Sequence, residues 1–320
     1  MKTEVAPIHA GYRLKGRHFL KLADLWQEEL FGLLELANEL KRKHKSGTQF
    51  EPLKGKTLGM LFEKPSTRTR VSFEAGVFQL GGTGIFLSPD HIQLGRGETI
   101  ADTAKVLSGY VDGVMIRTFS QDILEEFADN ATIPVINGLT DMYHPCQVLA
   151  DLQTIQEVKG GLKGVKLAYI GDGNNMTHSL IIGAAMTGMT ISIASPADCQ
   201  PDNAIVQKSL SIAKQSGSNV EVTSEPQAAV KQADIIYTDV WSSMGQEDGK
   251  QYREKQFAGF QVNTALCSLA NTDAVFMHCL PAHRGEEVTT EVIDGRQSVV
   301  FQQAENRLHA QKALMTALLS

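Results

Sequence analysis

Cysteine is scarce and scattered in this chain of 320 residues: Cys146, Cys199, Cys267 and Cys279 form no Cys-x-x-Cys pair and no tight Cys/His spacing. Neither a disulfide framework nor a structural zinc is expected, and a reducing cytoplasm fits best. No stretch approaches the roughly 18–20 apolar residues of a membrane span. The opening MKTEVAPIHA puts no apolar core after its single Lys and carries Glu4, so it reads as neither signal nor transit peptide. Positive charge is not in excess: 30 Lys and Arg against 36 Asp and Glu leave −6, with no global basic field for nucleic acid. Any bound anion must be gripped by a few local cations. No short repeat is present.

What remains is an ordinary globular composition, 42% hydrophobic and 21% charged, with length for about two domains. Trp26, Leu30, Leu33, Ala37 and Leu40 fall on one helical face, and the run Lys41–Lys45 suits that helix's negative end. Short apolar runs then alternate with helical patterns. Strands are expected at 57–63, 84–87, 113–117 and 133–136, with helices at 67–80, 99–108, 121–129 and 147–158. Gly160-Gly161-Leu162-Lys163-Gly164 reads as a joint. The rhythm resumes with strands at 166–170, 190–194, 220–222, 235–238 and 274–278, and a last apolar helix covers 305–319. This alternation predicts an α/β protein of two doubly wound parallel-sheet domains meeting near residue 150, with ligands at the carboxyl ends of strands.

Two motifs imitate nucleotide sites. Gly55-Lys56-Thr57 resembles the end of a P-loop, but Phe50 stands where the first glycine belongs and the triplet precedes a strand. Gly171-Asp172-Gly173-Asn174-Asn175-Met176 follows a strand and opens a helix. It lacks the third glycine of a dinucleotide fingerprint, and the next strand ends without a ribose-binding acid. Its glycines suit a tight turn that brings backbone close to some other ligand.

Ser66-Thr67-Arg68-Thr69-Arg70 is more informative. It follows a strand and Pro65 and starts a helix whose apolar face continues through Val71, Phe73, Val77 and Leu80. Free N–H groups at the helix start, three hydroxyls and two guanidinium forks make an anion site. A Ser/Thr cap beside solvated arginines accounts for the same residues.

This stretch resembles the signature of the carbamoyltransferases, which share carbamoyl phosphate as substrate. His144-Pro145-Cys146-Gln147 is similar to a second family block, and Arg117 ends a strand where the family places another phosphate-binding arginine. Asp239-Val240-Trp241-Ser242-Ser243-Met244-Gly245 carries the Asp-x-x-x-Ser-Met-Gly pattern of the ornithine carbamoyltransferases, and His278-Cys279-Leu280-Pro281 resembles another of their blocks. Asn175 and Arg307 also match, and the blocks span residues 18–319 in family order.

The resemblance implies transfer of the carbamoyl group to the δ-amine of L-ornithine, giving L-citrulline and phosphate. It assigns the phosphate to Ser66, Thr67, Arg68, Thr69 and Arg117. The carbamoyl group falls to Arg68, Thr69, His144, Gln147 and Arg307. Ornithine falls to Asn175, Asp239, Ser243 and Met244, with Cys279 and the Leu280 carbonyl near its δ-nitrogen. Gln93 matches a glutamine that reaches the carbamoyl phosphate of a neighbouring subunit. The implied domains are 1–150 with the helix 305–320 packing back on it, for carbamoyl phosphate, and 151–304 for ornithine. A homotrimer with active sites between subunits is implied, with larger assemblies of trimers in some members. No metal or cofactor is expected, because phosphate is already an activated leaving group. Rival readings are a carbamoyltransferase for putrescine or aspartate, against which Ser243-Met244-Gly245 speaks, and a nonenzymatic anion-binding module. Alone, each of these residues has a blander role: Cys279 as a buried hydrophobe, Asn175 as a helix cap, Arg307 as a surface cation.

Overall fold

In the computed structural model, which describes residues 14–88, 97–241 and 250–320 (side chains from 252 in the last segment), the apolar runs form two wholly parallel sheets. The first contains β1 (Thr57–Phe62), β2 (Thr83–Leu87), β3 (Gly113–Arg117) and β4 (Val135–Leu139), in the order β2-β1-β3-β4. The second contains β5 (Lys166–Ile170), β6 (Thr190–Ala194), β7 (Asn219–Thr223), β8 (Ile235–Thr238) and β9 (Val275–His278), in the order β7-β6-β5-β8-β9. The interior strands β3 and β8 are buried at every residue, whereas the edge strands β2 and β7 expose several, as covered and uncovered parallel strands should.

The connecting helices are α1 (Gln27–Lys45), α2 (Thr67–Gln79), α3 (Ile100–Ser108), α4 (Gln121–Asn130), α5 (Pro145–Lys159), α6 (Asn175–Thr187), α7 (Asn203–Ser216), α8 (Pro226–Val230), α9 (Lys250–Gln256), α10 (Thr264–Cys267), α11 (Thr290–Ile293) and α12 (Val300–Leu319). Leu30, Leu33, Ala37 and Leu40 of α1 are buried as expected, but Trp26 is its N-cap and is 72% exposed. Val71 likewise leaves the apolar face of α2 and points to solvent, while Phe73, Val77 and Leu80 stay buried.

The chain packs as two units, one running to Thr140 and taking back Leu308–Ser320, the other Asp141–Arg307. The division falls inside α12. Its last turns close the first unit: the Gly16 N–H donates to the Leu318 carbonyl at 3.0 Å, and a Cβ on Gly76 of α2 would meet Met315 at 3.0 Å. The glycine stretch 160–164 follows α5 and does not coincide with the division between packing units. Gly160 takes the left-handed conformation (φ 76°) that ends α5, inside the second unit.

Three elements start two or more residues from expectation. Pro134 has no N–H to donate, and β4 begins after it. Pro145 suits the first position of α5, which starts two residues early. Helix α12 starts at Val300, ahead of its apolar stripe: its first turns bury polar residues, Gln303, Asn306 and Arg307, that an apolar pattern does not reveal, so the expected start falls late.

Candidate active site

Each sheet has one place where the chain order reverses: between β1 and β3 in the first, between β5 and β8 in the second. Loops leaving neighbouring strands diverge there, opening a crevice at the carboxyl ends. The site residues described in the first unit leave these strands, and in the second unit Asn175 and Asp239 do.

In the first unit, Ser66 follows β1 and caps α2: its Oγ accepts from the Thr69 N–H at 3.2 Å and donates to Thr69 Oγ1 at 3.0 Å. That leaves other N–H groups of the first turn aimed outward. Thr67 is exposed, Thr69 buried and Arg68 half-buried, with its Nε buried and without a hydrogen-bond partner among the described residues. Arg70 turns away: its guanidinium lies 3.8 Å from the Phe86 ring centroid and 3.5 Å from Glu74. Buried Arg117 ends β3 beside Phe62, its carbonyl accepting from Glu63 N–H at 2.9 Å. Ile116 pairs with Asn137 but Arg117 with Leu139, so Gly138 makes a bulge where the arginine leaves the sheet.

In the second unit, Gly171 (φ 151°) and Gly173 turn the chain after β5; a Cβ on Gly173 would overlap the Gln200–Pro201 backbone. Asn174 caps α6, accepting from Met176 and Thr177 N–H, and its amide donates to Asp239 Oδ2 at 3.2 Å. Asn175 is the first residue of α6; its carbonyl accepts from Ser179 Oγ (2.9 Å), and that hydroxyl accepts from the His144 N–H (2.8 Å). Asp239, just past β8, also accepts the Cys279 thiol on Oδ1 at 3.0 Å. Burial pushes the Cys279 thiol well up, and the Asp239 charge adds to it, so this sulfur is a neutral donor.

Leu280 has φ +58°, unusual for a branched side chain, and its N–H donates to His278 Nδ1 at 2.9 Å. With Nδ1 accepting, the His278 proton sits on Nε2 and is given to buried Glu287 at 3.2 Å. Asp239, His278 and Cys279 place ligand atoms within 4.8 Å of one another, but both His278 nitrogens are already engaged, leaving only a thiol and a carboxylate to offer a cation. Buried Arg307 on α12 is the cation felt by Cys146, Asp151 and Cys279. Gln93, Ser243 and Met244 lie outside the described residues.

Residues 17–157 match the carbamoyl-phosphate-binding domain of aspartate/ornithine carbamoyltransferases, and residues 163–318 match the family's Asp/Orn-binding domain. The chain belongs to the aspartate/ornithine carbamoyltransferase family. Within it, the chain is 68% identical over 307 residues to the ornithine carbamoyltransferase of Oceanobacillus iheyensis, covering 96% of this chain and 95% of that one. It is 60% identical over 307 residues to that of Bacillus subtilis, with the same shares covered. The solved ornithine carbamoyltransferase from Pyrococcus furiosus superposes with a TM-score of 0.93 at 52% identity, covering 96% of this chain and 98% of that one.

Carbamoyltransferase domains and packing units divide the chain differently at α5, which falls in the family's first domain but packs with the second unit. That helix brings His144 and Gln147 into the same unit as Cys279 and Arg307. It also carries a residue the motifs did not single out. Fully buried Asp151 takes Gln147 Nε2 at 2.9 Å and Gln303 Nε2 at 2.7 Å on Oδ1, and the Tyr237 hydroxyl at 3.1 Å on Oδ2. Burial raises its pKa to about 7, against the pull of these three donors and of Arg307. The spacing of four from Gln147 was the signal available in the sequence. Asn174, Ser179 and Glu287 were missed too, and lone polar residues beside motifs give no such signal.

Proposed function

We propose that this carbamoyltransferase uses L-ornithine: the neutral δ-nitrogen attacks the carbamoyl carbon, the bond to the phosphate oxygen breaks, the nitrogen loses its extra proton, and L-citrulline and phosphate leave. The observation that carries this reading is the 68% identity with a named ornithine carbamoyltransferase across nearly the whole chain. The reaction places the protein in arginine metabolism. Ser66, Thr67, Arg68, Thr69 and Arg117 hold the phosphate and stabilise its growing charge, the buried Arg68 Nε being one donor in need of an acceptor. Arg68, Thr69, His144, Gln147 and Arg307 polarise and orient the carbamoyl group. Asn175, Asp239, Ser243 and Met244 hold the α-amino and α-carboxylate groups of ornithine.

Cys279 and the Leu280 carbonyl orient the δ-nitrogen. No covalent step through Cys279 is needed, which agrees with a thiol whose pKa burial has raised. Carbamoyl phosphate binding belongs to the first domain with the returning end of α12, ornithine binding to the second. Gln93 serves a neighbouring subunit of a homotrimer, and the enzyme works in the cytoplasm without metal or cofactor.

Formation of the carbamoylated product from carbamoyl phosphate with ornithine (citrulline), putrescine (carbamoylputrescine) or aspartate (carbamoylaspartate), compared side by side, tests the reading. Turnover with ornithine alone is expected. Preference for either rival amine would replace the substrate, and no turnover with any would favour the nonenzymatic reading.

A further inference from the structure

Gln147 is wholly buried, and the two ends of its amide are not equivalent. Its nitrogen donates to Asp151, one helical turn along α5, at 2.9 Å. An ionised carboxylate can only accept, so it holds the NH₂ end on its own side and turns the carbonyl end away. The Gln147 Oε1 that results is buried and has no hydrogen-bond partner among the described residues. Nothing lets the carboxylate swing aside. Tyr237 and Gln303 brace it from β8 and α12, Gln303 Nε2 also donates to the Tyr237 oxygen at 3.0 Å, and Gln303 Oε1 takes the His278 N–H at 2.9 Å. The outcome is a rigid, dry acceptor one residue past Cys146, on the helix that His144 opens.

We infer that Asp151 is a positioning residue that fixes the Gln147 carbonyl as the acceptor for the carbamoyl NH₂, so that the site discriminates against acyl phosphates carrying a methyl group in its place. The inference rests on carbamoyl phosphate being the substrate, as proposed above. A site built to accept a hydrogen bond rejects an isostere that cannot supply one, because its buried polar atom is then left unpaired. A carbamoyl and an acetyl group are near-isosteres that differ in this way alone. The phosphate-binding residues see the same leaving group in both.

The test is calorimetric binding of carbamoyl phosphate, acetyl phosphate and inorganic phosphate at pH 8, without ornithine, to the unsubstituted protein, Asp151→Leu and Asp151→Asn. The unsubstituted protein is expected to prefer carbamoyl over acetyl phosphate by about tenfold or more. Asp151→Leu should bring that ratio to within about threefold of unity while inorganic phosphate binds as before. Asp151→Asn can keep its oxygen toward Gln147 and its nitrogen toward Tyr237, and should restore the preference. A folded Asp151→Leu with the original ratio, or one that weakens all three ligands alike, overturns the proposal.

Should Asp151→Leu not fold, a crystal of the unsubstituted protein with carbamoyl phosphate decides. Gln147 Oε1 on the carbamoyl nitrogen supports the proposal, and any other Gln147 contact overturns it. The two readings fail separately. Discrimination without citrulline formation sinks the ornithine reading and leaves this one standing; citrulline formation without discrimination does the reverse.

Discussion

The Cys279 thiol and the Asp239 carboxylate, 40 residues apart in sequence, meet at 3.0 Å, sulfur to Oδ1, at the ends of neighbouring strands β9 and β8. The carboxylate accepts and the thiol donates, and both are buried. A sulfur held this way is a poor nucleophile, since reactivity belongs to the thiolate. Iodoacetamide at pH 7.5 is therefore expected to label Cys279 far more slowly than a free cysteine, whose pKa is ~8.5. Mass spectrometry of the labelled protein measures this, and rapid labelling of Cys279 would show a thiolate.

Arg68→Lys keeps the positive charge at the start of α2 but loses the planar fork. Its expected cost is about 2–4 kcal/mol of transition-state stabilisation, roughly 30- to 1,000-fold in kcat/KM for carbamoyl phosphate. Steady-state kinetics on the folded variant decide it. Near-normal turnover would make Arg68 a structural residue of the helix start.

The attacking amine must be neutral, yet a free alkylamine has a pKa near ~10.4, so only about one molecule in 10³ is reactive at pH 7. Between pH 6 and 8, kcat/KM for ornithine should rise close to tenfold per unit. Initial rates at saturating carbamoyl phosphate test this; a profile that is flat or falling there sinks the free-amine picture, provided chemistry limits the rate.

Asp151 titrates in the opposite sense to a salt-bridged acid. Its folded pKa of about 7 lies above the ~3.9 of an unfolded aspartate, so the folded protein holds the extra proton between those values. Its contribution to stability is full below about pH 4, declines as pH rises towards 7, and is constant above. Asp151→Asn removes that decline. Relative to the unsubstituted protein it should gain roughly 2–3 kcal/mol between pH 5 and pH 8. Urea unfolding of both proteins at the two pH values and one protein concentration measures the gain; a difference independent of pH would place the Asp151 pKa elsewhere.

The frame was legible because buried parallel strands read as unbroken apolar runs: β3, β5, β6 and β8 fall where the sequence put them. Ser66 was legible as a cap, since a hydroxyl three residues before another at a helix start has a local job. What stayed hidden depends on distant partners. The Asn137-Gly138 pair inside β4 breaks the apolar pattern, and only the bulge opposite Arg117 explains it. Asp151 looks like any polar residue on a helix until Tyr237, 86 positions away, and Gln303, 152 positions away, close around it. Trp26 failed for the opposite reason: periodicity cannot tell the last residue before a helix from the first inside it.

The division inside α12 has a consequence for synthesis on the ribosome. Asp141–Arg307 is an unbroken stretch that can condense as soon as it emerges, while the earlier unit waits for Leu308–Ser320, whose Leu319 lies against Gly113 of β3. The half translated first is thus the half completed last. During that wait, the apolar surface around β3 and α2 is open to chaperones, and to misassembly with other unfinished chains.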